Sequence, residues 1–102
     1  METVRIDGLP VRLHTMPSRG PVRDEADPTV VFVHGIGMSH RSFARSQRAV
    51  AAEHRTISVD LPGFGWLPAA GRRLPIEELG DVGVRAVRHL VDGDLVLVGQ
   101  SM

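Results

Sequence analysis

At 102 residues the chain has room for one domain or part of one. Its 42% hydrophobic and 24% charged content is ordinary for a globular protein, and a net charge of +0 supplies no electrostatic drive toward nucleic acid or an anionic membrane. The absence of cysteine excludes disulfides, thiolate catalysis and cysteine-ligated zinc. All twelve basic residues are arginines, and they are scattered, which we read as codon bias of a GC-rich genome. Met1–Arg5 lacks the long apolar stretch of a secretory signal and no apolar run approaches a membrane span, so a cytoplasmic location is expected.

Val4-Arg5-Ile6 and Val11-Arg12-Leu13 alternate apolar and polar residues, as half-buried strands do. Asp7-Gly8 between them is a favoured hairpin turn pair, which predicts an antiparallel hairpin from about Glu2 to Met16 at the sheet edge. Pro17–Pro28, with three prolines and several charges, reads as a solvated loop. Thr29-Val30-Val31-Phe32-Val33 is a continuous apolar run, predicted as a strand buried on both faces, and His34-Gly35-Ile36-Gly37-Met38 follows as a glycine-rich turn. Ser39 or Ser42 is placed to cap a helix running to about Glu53, with Phe43, Gln47, Val50, Ala51 and His54 on its inner side.

Thr56-Ile57-Ser58-Val59 predicts a third short strand, ended by Asp60-Leu61-Pro62-Gly63-Phe64-Gly65, and Trp66–Leu74 reads as loop. Trp66 either lines a substrate pocket or covers the core edge. A helix is expected from Pro75, with Glu77 and Glu78 at its N-terminus and Arg85, Arg88 and His89 toward its C-terminus, where each sign suits the helix dipole. Its buried stripe is Ile76, Leu79, Gly83, Val87 and Leu90, and Gly93 is suited to terminate it. Leu95–Val98 predicts another strand buried on both faces. Strand–helix alternation after a hairpin implies an α/β fold with right-handed crossovers and a parallel sheet covered by helices.

Three motifs, each after a predicted parallel strand, carry a resemblance. They are His34-Gly35-Ile36-Gly37, Asp60-Leu61-Pro62-Gly63-Phe64-Gly65 and Gly99-Gln100-Ser101-Met102; the last matches the first four positions of a G-x-S-x-G nucleophile elbow. In this order the chain resembles the N-terminal portion of the α/β-hydrolase fold superfamily, in its serine-nucleophile branch of esterases, thioesterases, carbon–carbon bond hydrolases and cofactor-free perhydrolases. The branches with Asp at the nucleophile position are disfavoured by Ser101. The resemblance implies that Ser101 attacks an acyl carbonyl to form an acyl-enzyme. It also implies that the backbone N–H groups of Met102 and Ile36 form the oxyanion hole, where one donor lowers the barrier by roughly 3–4 kcal/mol. Asp60–Gly65 then shapes the neighbouring turn. A small-molecule acyl substrate and no cofactor or metal are implied.

The family orders its triad as serine, acid, histidine. Within residues 1–102 only Met102 follows Ser101, so the chain is expected to be a partial domain that is inactive alone. The alternative is a truncated, non-catalytic hydrolase-like protein or binding fragment. In either case Leu95–Val98 is expected to form an apolar edge through which the chain self-associates. His34 is read as orienting its loop by hydrogen bonds, His40 as a solvent-facing residue at the helix start, and Asp60 as making local turn bonds. His14, His54 and His89 have no metal-ligand spacing among themselves.

Overall fold

The structure, a computed structural model, describes residues 2–20, 28–34, 40–61 and 76–99. Strand β1, Glu2–Ile6, turns through Asp7 and Gly8 into β2, Leu9–Met16. Asp7 at φ 52° and Gly8 at φ 81° are consecutive left-handed residues, the pairing a two-residue I′ hairpin requires. Strand β3 is Thr29–Val33, followed by a 3-10 turn at His40–Phe43, helix α1 at Ala44–Val50 and strand β4 at Thr56–Asp60. Helix α2, Ile76–Arg88, leads to β5, Leu95–Gly99. The five strands form one sheet in the order β1-β2-β4-β3-β5. β2 pairs antiparallel with both β1 and β4, whereas β3 pairs parallel with both β4 and β5. The hairpin is as expected, but only β1 lies at the edge; β2 is an interior strand.

The strands' period of two sorts their side chains between two cores. Val11, Leu13, Val31, Ile57 and Val59 face α2, where Leu79, Val82, Ala86 and Val87 meet them. Val30 and Phe32 face the other way, with Phe43 and, less buried, Val50 and Val98. Each fully buried Val, Leu or Ile stabilises by about 1.5–3 kcal/mol relative to exposure, so the larger core on the α2 side dominates.

Three expectations need correction. The first helix stops at Val50, short of Glu53, and begins as a 3-10 turn that includes Ser42; α1 has Phe43 at its N-cap with no side-chain capping bond. Its inner side is nonetheless the expected one, with Phe43, Gln47 and Ala51 buried. The second helix has a wider stripe than expected, because Val82 and Ala86 are buried beside Leu79 and Val87. β5 is not buried on both faces: Val96 is 46% exposed and Leu97 56%, because among the described residues β5 pairs only with β3. No described helix is long and apolar enough to cross a membrane.

Candidate active site

The three parallel strands end level with one another. In register, Val33 of β3 stands opposite Val59 of β4 on one side and Gly99 of β5 on the other. The chain leaves β3 for β4 in one direction and reaches β5 in the opposite direction, which makes the C-terminal end of β3 a topological switch point. Open α/β sheets bind ligands in the crevice at such a point. All three sequence motifs begin there, at His34, Asp60 and Gly99.

His34 is 1% exposed, and its Nε2 accepts the N–H of Leu61 at 3.2 Å. A ring nitrogen that accepts carries no proton, so the hydrogen bonding assigns the His34 proton to Nδ1. The expectation that His34 orients its own loop falls on residues 35–39, which lie outside the described residues; the bond seen ties His34 to the end of β4.

Asp60 is fully buried, and its partners were not anticipated. Its Oδ1 accepts the backbone N–H of His40 at 2.7 Å. Its Oδ2 lies 2.8 Å from His14 Nε2 and 2.8 Å from His40 Nδ1. The two imidazoles stack with centroids 3.6 Å apart and planes 15° apart. Asp60 therefore bonds across the sheet to β2 and to the 3-10 turn, rather than within its own turn. His40 does start the helical segment, but its ring is packed on His14, with 24% of its side chain exposed. The alternation of β4 explains the geometry: Ile57 and Val59 point into the α2 core, which puts Thr56, Ser58 and Asp60 on the α1 side. His14, opposite Ser58 in register, lies on that same side. From α1, Gln47 Nε2 donates to the His14 carbonyl at 2.8 Å and fixes the strand to the helix.

Burial holds the His14 pKa below the ordinary histidine value of 6.5; the bond to Asp60 opposes this, and the charges of His40 and Arg12 reinforce it. His14, His40 and Asp60 are also the described donor set for a metal, with ligand atoms within 4.8 Å of one another. A metal needs both histidine lone pairs aimed at it in their ring planes, with the facing nitrogens unprotonated. Near-parallel rings sharing one carboxylate oxygen at 2.8 Å instead match two N–H donors on one acceptor.

Of the residues singled out for chemistry, Ser101, Met102 and Ile36 lie outside the described residues, as do Gly35, Gly37 and Trp66. Gly99, two residues before Ser101, is described, and it is the residue paired with Val33.

The family model for the alpha/beta hydrolase family matches residues 30–102, which span all three motifs. The chain belongs to the alpha/beta hydrolase family. Among solved structures, the Cif epoxide hydrolase of Acinetobacter nosocomialis superposes with a TM-score of 0.80 at 19% identity, covering 98% of this chain and 29% of its own. The thioesterase domain from the curacin biosynthetic pathway superposes at 0.75 with 23% identity, covering 99% and 35%. Est1E of Butyrivibrio proteoclasticus, a structure with bound ferulic acid, gives 0.77 at 15% identity, covering 99% and 43%. At these identities the likeness is one of fold. A curated relative from Pseudomonas putida, the dihydrolipoyllysine-residue acetyltransferase component of an acetoin cleaving system, is 35% identical over 78 residues, 76% of this chain and 21% of that protein. The chain thus spans about a fifth of that relative's length and 29–43% of these three structures.

Proposed function

We propose that this chain carries the nucleophile and oxyanion portion of a serine hydrolase that acts on carboxylic ester, thioester or related acyl bonds. The observation that carries this reading is the level pairing of Val33 with Gly99. Ser101 follows Gly99 by two residues and Ile36 follows Val33 by three, so nucleophile and oxyanion donor start from adjacent strand ends. Two of the similar proteins, by their names a thioesterase and an acetyltransferase component, belong to acyl chemistry.

In the proposed reaction a base takes the Ser101 hydroxyl proton as Oγ adds to the acyl carbon. The carbonyl electron pair moves onto oxygen, and the N–H groups of Ile36 and Met102 donate hydrogen bonds to that oxyanion. Collapse expels the alcohol or thiol, which takes the proton from the base and leaves the acyl group on Ser101. Water then repeats the sequence and releases the carboxylic acid.

All five histidines of residues 1–102 precede Ser101, whereas the family's order of serine, acid and histidine places the base after the nucleophile. We therefore propose that residues 1–102 alone do not turn over. The same order favours a second reading, a non-catalytic hydrolase-like or binding fragment.

Intact-mass analysis after exposure to a simple aryl ester separates the two. Expressed from its full reading frame, the protein should gain one acyl group at Ser101, the Ser101→Ala variant should gain none, and residues 1–102 alone should stay unlabelled. Absence of labelling from the full frame would favour the non-catalytic reading.

A further inference from the structure

The two residues that bracket positions 35–39 are tied to consecutive residues of the β4 end. His34 accepts the Leu61 N–H at 3.2 Å, and His40 donates its N–H to Asp60 Oδ1 at 2.7 Å. We propose that Asp60 and Leu61 form a two-armed clasp that positions the start of the 3-10 turn against the ends of β3 and β4, and that acid loosens the Asp60 arm through the stacked pair of His14 and His40. What the clasp does for catalysis rests on the serine-hydrolase reading; its existence does not.

The hydrogen count defines how the clasp works. Two ring nitrogens at 2.8 Å from one carboxylate oxygen must both donate, which assigns the proton to Nε2 of His14 and Nδ1 of His40. Protonation then occurs at the opposite nitrogens, His14 Nδ1 and His40 Nε2. A first proton is balanced by the Asp60 carboxylate. A second places two imidazolium rings 3.6 Å apart over a single negative charge.

Among the described residues, Asp60 is the carboxylate whose charge acts on His14. From β2, the Arg12 guanidinium adds a positive charge that acts on His14. α1 contributes neutral Gln47, bonded to the His14 carbonyl. In the 3-10 turn Arg41 is exposed, and His34, just after β3, has its Nε2 occupied by the Leu61 N–H. The two rings separate most readily by moving His40, because His14 is held in β2 by its pairing with Ser58 of β4 and by the Gln47 bond to its carbonyl. Moving the His40 ring draws its own backbone N–H off Asp60 Oδ1.

Amide exchange measured by NMR on the full-length chain tests this, with rates corrected for the intrinsic effect of pH. Between about pH 7.5 and about pH 5, across the range in which histidines titrate, protection of the His40 N–H should fall about tenfold, while that of Ile57 in the centre of β4 holds. Asp60→Asn should lose the His40 protection at both pH values. The double variant His14→Gln with His40→Asn keeps side-chain N–H donors without titrating and should abolish the pH dependence. A His40 amide equally protected at both pH values overturns the proposal. So does an equal fall at Ile57, or a fall that persists in the double variant. Protection that appears only with added Zn2+ overturns it in favour of a metal site. The wild-type series stands without any variant, and no readout needs turnover, so a failed esterase assay would count against the serine-hydrolase reading and leave these results intact.

Discussion

Asp60 satisfies three N–H donors with two oxygens at 2.7–2.8 Å while itself fully buried. Asp60→Ala strands all three donors at once. A buried donor left unsatisfied costs about 1–3 kcal/mol, and we expect a loss of at least that order in unfolding free energy, read from urea denaturation. His14 adds a pH dependence of definite sign. The folded state holds its pKa below 6.5, so near and below that value the unfolded chain takes up a proton that the folded chain resists. Stability is therefore complete above pH 6.5 and declines as pH falls through and below it; thermal melts across that range should show it. Asp7 behaves differently, because Arg85 lowers its pKa by hydrogen bond and charge; that contribution persists down to the carboxylate range and is lost only as the Asp7 carboxyl itself protonates. The cluster was hard to read from sequence because its members lie 46 and 20 residues apart, with no local spacing to connect them. A signal was present nonetheless: Thr56, Ser58 and Asp60 repeat at period two in an otherwise apolar strand, marking a polar face.

At the scale of the element, α2 shows how closely helix and sheet approach. A Cβ added at Gly83 would lie 3.1 Å from Leu61 Cδ2, whereas one at Gly80 would meet nothing within 4 Å. Gly80→Ala should therefore return its helix-propensity gain of about 0.8–1 kcal/mol as a higher melting temperature. Gly83→Ala should return less, because Leu61 must shift to admit the methyl. Gly83 was legible as part of the buried stripe from its spacing. Val82 and Ala86 were missed because a helix against a sheet buries a band wider than one residue per turn. The 3-10 start of the first helix had no such signal, since its origin is the remote bond from the His40 N–H to Asp60 rather than a local cap. The hairpin, by contrast, is encoded by two adjacent residues and could be read directly.

For the whole molecule, the uncovered side of β5 is the main feature. Leu97 and Val84 border an apolar cavity of about 110 Å³ between α2 and the sheet, lined also by Val31, Val87 and Leu95. Unpaired edges with exposed apolar side chains promote association. We expect residues 1–102 to self-associate in light scattering, and Leu97→Lys to shift the population toward monomer by placing a charge on the edge. Should the unmodified chain remain monomeric at high concentration, the edge is not an association surface. The parallel topology was legible in the alternation of strands and helices, and so was the apolar edge at Leu95–Val98, but the exposure of the strand's faces at Val96 and Leu97 was not. A continuous apolar run implies two covered faces, whereas the covering depends on neighbours that the run itself does not encode.

The order of the strands in space also sets a timetable for synthesis. A ribosome releases β1 and β2 together, and their hairpin closes across two residues, which is fast. β3 emerges soon afterwards and gains β4 as its first neighbour. Its other flank must wait for β5, because Thr29 pairs with Leu95 at the far end of the chain. Through that interval the nascent chain presents the unpaired backbone N–H and C=O groups along the open edge of β3 to whatever else is in the cell. Among the described strands, the one at the centre of the proposed active site is thus the last to have both flanks paired, and the period before Leu95–Gly99 arrives leaves it open to misassembly.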